Sequence, residues 1–228
     1  MLLMILKKKG RLQRMVKLNK RSLPDGISPS SENDYRSGVT FDMLVEDCYG
    51  KCYICEDKPT SINVEHIVPH RGDAALRYCW DNMLLACGHC NGLKGVKYDD
   101  IINPTLLDPE DYLDLSVEIS EDFLEFINVT AVRNEYTTSK TVELLRSVYN
   151  GGSTPIKSIE SANLRNEHLL PDLLRFRQYI RGYLSEPDMG YDTIIIKEIS
   201  RSSKFAAFKR KIVRDNLQLY DVFSDALA

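Results

Sequence analysis

The chain has 228 residues, of which 43% are hydrophobic and 28% charged, and its formal net charge is −3. That length supports one ordinary domain, or a small domain with an elaborate second part, and the composition is that of a soluble globular protein. No stretch reaches the roughly 20 apolar residues that a membrane span needs, and a nearly neutral total excludes a global pull toward nucleic acid.

The distribution of charge says more than the sum. Residues 7–21, KKKGRLQRMVKLNKR, carry eight Lys/Arg and no acid, and residues 197–214 carry seven basic residues against Glu198 alone. Between them, residues 97–135 carry eleven Asp/Glu against Lys97 and Arg133. Basic ends therefore flank an acidic middle, and each basic run reads either as a solvated face or as a contact surface. The opening MLLMIL is too short for the apolar core of a signal peptide, and its lysines follow instead of preceding. The chain is accordingly read as cytoplasmic. In a reducing compartment, four of its six cysteines, spaced as two CxxC pairs, point to metal ligation. Cys48 and Cys79 are left over and are expected to be buried thiols.

In chain order, residues 22–38, SLPDGISPSSENDYRSG, lack apolar periodicity and mark a linker or extended arm. Phe41, Leu44, Val45 and Cys48 then recur at helical spacing, with Gly50 behind them as the stop. Within Cys52–Gly95, SINVEHIV alternates and is β-branched, which predicts a short strand or hairpin. RGDAALRYCWDN reads as a loop, MLLA as a short strand or turn, and NGLKG as the opening of a helix. Further on, DLSVEI and FLEFINVTAV predict strands. TSKTVELLRSVYNGG predicts a helix with Val142, Leu145 and Val148 inward. Residues 158–184 are helix-rich and interrupted at Pro171, which can open a second helix at its first turn. In the last helix Phe205, Phe208 and Ile212 form the apolar stripe, with lysines and arginines on the other face.

The motifs that carry chemistry lie between the cysteines. Cys52-x2-Cys55 and Cys87-x2-Cys90 supply four thiolates, the number that Zn²⁺ takes in a closed tetrahedral shell, so this zinc is expected to be structural. A closed shell cannot activate water, and chemistry must come from the residues between the pairs: Glu65, His66, His70 and Asn82, with Asn91 directly after the second pair. A carboxylate and an amide oxygen suit a hard divalent cation such as Mg²⁺. A neutral imidazole beside them suits a general base. Adjacent positions on a strand point to opposite faces, so Glu65 and His66 meet one site only if the backbone re-aims one of them. Each residue alone is more often structural than catalytic; Asn82, next to Trp80-Asp81, is also an ordinary turn residue.

Taken together, C-Y-I-C, V-E-H-I-V-P and W-D-N-M-L-L-A-C-G-H-C-N-G-L-K-G resemble the HNH (ββα-metal) endonucleases over roughly residues 41–96. The first histidine of that family matches His66, the acid before it Glu65, the central asparagine Asn82, and the last letter Asn91, making an H-N-N version with Glu in place of the commoner Asp. The resemblance implies an α+β protein in which a small zinc-stapled ββα-metal core is embedded in a mostly helical chain. It implies that His66 deprotonates the attacking water, that Glu65 and Asn91 hold one Mg²⁺ or Mn²⁺, and that Asn82 braces the loop without touching metal. Lys94 is then a candidate phosphate contact or an exposed helix lysine. His70 and Arg71 are further candidate DNA contacts, and His89 is expected to face solvent.

LLDPEDYLDL, TSKTVELLRSVYNG and LRNEHLLPDLLRFR are also similar to HNH nucleases of the Septu and retron-associated anti-phage systems. That likeness implies a partner ATPase of the SMC/ABC type and a place, as a homo-oligomer or singly, in a larger complex. The expected organisation is a basic arm and linker over 1–38, an HNH core with structural zinc over 39–100, and a mainly helical region over 101–228 for partner docking and DNA placement. Two other readings stand beside a DNA endonuclease. One is a non-catalytic zinc module that binds nucleic acid or a partner; the other is a stand-alone HNH restriction nuclease.

Overall fold

A computed structural model describes residues 16–152 and 154–227. The first helix, α1 (Glu32–Arg36), lies inside the segment expected to be a linker. That expectation is corrected: Tyr35 on α1 is almost fully buried, and a single large aromatic anchors a stretch whose composition carries no periodic signal. Helix α2 (Gly38–Asp47) follows, with Leu44 and Cys48 buried as the spacing predicts. The chain leaves it through Tyr49 and Gly50, both at positive φ.

Strands β1 (Ile62–His66) and β2 (Met83–Cys87) pair antiparallel, from Ile62 opposite Cys87 to His66 opposite Met83. The stretch between them is more ordered than the expected loop, since it holds the short helix α3 (Ala74–Arg77) and a 3₁₀ turn over Trp80–Asn82. Asp73 starts α3 by accepting from the Ala75 N–H. Helix α4 (Gly88–Lys94) begins one residue after β2, with Cys87 as its cap, and Gly95 at φ +46° ends it. NGLKG is therefore the end of this helix and not its opening: the tight CGHC turn has already set the helical backbone. β1, β2 and α4 make the ββα unit.

Strands β3 (Leu113–Ile119) and β4 (Glu125–Ala131) form a second antiparallel hairpin, as expected. It packs on helix α5 (Tyr136–Asn150), which buries Val142, Leu145 and Val148 together with Leu144 and Tyr149. The Asn150 amide exchanges two hydrogen bonds with the backbone of Ile127, so α5 satisfies groups that the β4 edge would otherwise leave open.

Helix α6 (Pro155–Asn163) runs through a π-helical stretch, Leu164–Leu169, into α7 (Leu170–Ser185). The expected interruption at Pro171 takes this form because proline cannot donate and its ring crowds the carbonyl four residues back; widening the preceding turn keeps the helix continuous. Helices α8 (Tyr191–Glu198), α9 (Ala206–Asp215) and α10 (Leu217–Phe223) complete the chain.

One apolar core runs from Leu18 to Phe208 and includes Cys52, Cys55 and Cys90. A smaller one joins Phe176, Ile180, Ile195, Ile199, Val213 and the C-terminal helix. Two expectations about the basic ends are corrected here. In α9, Lys209 and Arg210 are buried instead of lining a solvated face. Lys209 pairs with Asp172 at 2.6 Å and with Glu198. Arg210 pairs with Glu110 at 2.6 Å, and Arg214 meets the same carboxylate. At the other end, residues 7–15 of the basic arm lie outside the described residues, while Lys20 and Arg21 bind back onto the body. Lys20 donates to the carbonyls of Trp80 and Met83, and Arg21 pairs with Asp47 at 2.6 Å. Burial pulls Lys20 down to about 8.

Candidate active site

The sulfurs of Cys52, Cys55, Cys87 and Cys90 lie within 4.8 Å of one another, with Cys55 and Cys87 4.0 Å apart. Four thiolates about 2.3 Å from a tetrahedral Zn²⁺ stand about 3.8 Å apart, so the set fits that ion closely. The first pair sits in a knuckle that brings Cys52 N–H onto the carbonyl of Asp57 at 2.9 Å, with Glu56 at positive φ. Tyr53 N–H donates to the carbonyl of Leu85 at 2.8 Å and docks the knuckle on β2. Crowding among the sulfurs drives the Cys87 thiol far down, through hydrogen bonds from Cys52, Cys55 and Cys90.

His66 ends β1. Its Nε2 lies 2.8 Å from the carbonyl of Arg77. A carbonyl only accepts, so Nε2 carries the proton and Nδ1 is left as the basic nitrogen. Burial is the main reason that the imidazole is held below its ordinary 6.5, and the charges of His70, Lys94 and Arg36 add to it. The ring packs edge-on against Tyr35 of α1 and His70, with centroids 5.8 and 5.0 Å away.

Asn82 is buried and fully engaged. Its Oδ1 accepts from Val68 N–H at 2.8 Å, while Nδ2 donates to the carbonyls of Val68 and Leu76 at 2.9 and 3.0 Å. These bonds tie the two ends of the β1–β2 connection, and with it the Arg77 carbonyl that orients His66.

These features coincide with a known pattern: the HNH endonuclease family model matches residues 52–97. Both cysteine pairs, β1, β2 and α4 lie inside that match, so this segment is similar to HNH domains. The Septu protein PtuB of Bacillus thuringiensis is 35% identical to the chain over 77 residues, which is 31% of this chain and 30% of that protein. The chain therefore matches less than a third of the length of that relative. No solved structure matches the chain.

Within this segment, strand pairing is regular through Glu65 and His66, so the backbone does not re-aim either and their side chains leave β1 on opposite faces. His70 links them, its charge acting on the Glu65 carboxylate and its ring packing on His66. His66 turns toward α1; Glu65 turns under α4. There it meets Lys94, whose Nζ lies 2.8 Å from Glu65 Oε1 and 2.7 Å from the carbonyl of His66. Lys94 has a side-chain exposure of 0%. The two expectations for Lys94, a phosphate contact or an exposed helix lysine, are thus corrected: the last turn of α4 packs on β1 and buries it. Burial raises the Glu65 carboxyl above its ordinary value, and Lys94 works against that rise.

Asn91 is the fourth residue of α4 and is half-exposed. It stands three residues before Lys94, hence on the same face of the helix. Its side chain makes no hydrogen bond among the described residues. A carboxylate and an amide oxygen on that side fit a hard cation by donor chemistry.

The other candidates are placed more plainly. His70 Nδ1 accepts from Gly72 N–H at 3.1 Å within a tight turn. Arg71, at φ +46° in that turn, reaches the carbonyl of Val96 and the Asp99 carboxylate, both at 2.9 Å. That ion pair is half-exposed and so worth little. His89 faces inward and not to solvent: it is 11% exposed, bonded to Glu160 and to the Val148 carbonyl at 3.0 Å each. With the Tyr149 hydroxyl on the carbonyl of Cys55 at 2.9 Å, it moors the zinc knuckles to α5 and α6. Sequence reasoning missed Tyr35, the Arg77 carbonyl and the burial of Lys94. None has a local signal, because Tyr35 lies 31 and Arg77 11 residues from His66, and Lys94 lies 29 residues from Glu65.

Among the described residues no helix is long and apolar enough to cross a membrane.

Proposed function

We propose that this chain is a divalent-metal-dependent endonuclease that hydrolyses DNA phosphodiester bonds. The observation that carries this reading is His66, held by Arg77 in the tautomer with Nδ1 basic and placed at the end of a strand that zinc staples to α4. Nδ1 takes the proton of the attacking water. Glu65 and Asn91 would hold one Mg²⁺ or Mn²⁺, which when bound supplies charge stabilisation to the scissile phosphate and the leaving oxygen. Asn82 positions His66 through the connection it braces, and His70 and Arg71 would meet the strand backbone.

The likeness to Septu protein PtuB supports a place in a multi-subunit anti-phage system. Residues 101–228 then dock an ATPase partner and place the DNA, and the complex works in the reducing cytoplasm, where the four cysteines keep their zinc. A second reading, a zinc module without catalysis, draws on one observation: Glu65 already has a cation in Lys94.

Cleavage of supercoiled plasmid with Mg²⁺ or Mn²⁺, with and without the co-expressed partner, tests the choice. The wild-type protein is expected to cut, and His66→Ala to lose at least about 100-fold in rate with zinc content unchanged. Equal rates for the two proteins would remove His66 from the reaction. No cutting by either under any condition would favour the binding module.

A further inference from the structure

Among the described residues Lys94 is the one fully buried ammonium that touches the candidate site, and its placement is hard to explain by folding alone. A buried ion pair is weak evidence for stability, because apolar residues of similar volume often serve as well. What the pair does supply is geometry. Nζ makes two bonds, to Oε1 of Glu65 at 2.8 Å and to the carbonyl of His66 at 2.7 Å. One atom of α4 therefore grips both the side chain and the backbone of β1 at consecutive residues. The grip fixes three things at once: the rotamer of Glu65, the spacing between α4 and β1, and the point where the strand ends and His66 turns away. Asn91 stands one turn earlier on the same face of α4, so its position relative to Glu65 follows from the same contact. Gly95 at φ +46° lets the chain turn off directly after Lys94, leaving the lysine as the final residue of the helix under which Glu65 lies.

We propose that Lys94 is a positioning residue for the divalent ion: by holding Glu65 and the His66 carbonyl together, it sets the distance between the Glu65 carboxylate and Asn91 that the ion must span. This rests on the endonuclease reading and deepens it. Lys94 touches neither substrate nor ion; it acts through Glu65 and the backbone.

The test compares wild type, Lys94→Met and Lys94→Arg, each checked for zinc content, in two measurements. Mn²⁺ binding is read from the electron paramagnetic resonance of free Mn²⁺, and plasmid cleavage is followed in parallel. Lys94→Met is expected to bind Mn²⁺ at least about tenfold more weakly and to cut at least about 100-fold more slowly, and Lys94→Arg to recover part of both. A Met variant that binds and cuts like wild type would overturn the proposal while leaving the endonuclease intact. Wild-type protein that neither binds Mn²⁺ nor cuts would overturn the endonuclease reading and the proposal with it. Should Lys94→Met lose its zinc, Mg²⁺ titration of wild-type protein labelled with ¹⁵N-lysine decides instead. The Lys94 Nζ resonance is expected to shift as Mg²⁺ binds; a resonance indifferent to Mg²⁺ would sink the idea.

Discussion

The environment of His66 sets a chemical expectation that can be read in solution. A general base must be unprotonated, and both burial and the nearby cations disfavour its charged form. Folding therefore lowers the imidazole below its ordinary value, and more of it is able to accept a proton at neutral pH than in an exposed histidine. Cleavage at saturating metal is expected to be level on the alkaline side of neutrality and to drop about tenfold per unit below the lowered value. A rate profile with its acid inflection at or above pH 7 would contradict the assignment of His66 as base. Asn82 shows a different limit at this scale. Its type and place are legible from the motif, and its three bonds are those of a brace. Which carbonyls it meets depends on how the chain between Ile67 and Asp81 folds back, and that path is not local.

At the scale of elements, the zinc staple dominates. Strands of five residues and a helix of seven are each too short to hold themselves. They depend on the knuckles, whose cysteines Cys52, Cys55 and Cys90 lie inside the main apolar core. We expect one zinc per chain by elemental analysis. We also expect Cys90→Ser or chelation to unfold the ββα unit, an apparent loss on the order of 10 kcal/mol. Zinc-free protein that melts at the wild-type temperature would refute this. The same scale explains an error of reading. NGLKG looks like the start of a helix because asparagine and glycine favour caps, yet the CGHC turn opens α4 earlier: Cys87 Sγ accepts from the Cys90 N–H at 3.4 Å.

Across the whole molecule, the charge blocks along the chain become contacts. The basic C-terminal run closes onto the acidic middle: Arg210 and Arg214 on Glu110, Arg201 on Asp108, Lys211 on Asp114. At this scale Glu110, just before β3, is the anchor of α9, holding both Arg210 and Arg214. Removing one partner of a buried pair leaves an uncompensated charge, so Glu110→Gln is expected to cost about 3–5 kcal/mol. For a chain of this size that lowers the melting temperature by roughly 6–20 °C in calorimetry. A shift under about 2 °C would show that Glu110 is not the anchor described.

Spacing alone determined much of this protein. Two CxxC pairs, an alternating strand between them, the β3–β4 hairpin and the inward face of α5 are all periodic or local patterns, and local geometry translates them directly; the H-N-N set came from the resemblance. The tertiary structure decided where charge goes. Lys94, Lys209 and Arg210 sit on helices whose sequences read as basic and exposed, yet each is buried against a carboxylate 11 to 100 residues away. Helical periodicity says which residues share a face; only the packed chain says whether that face meets water or an acid.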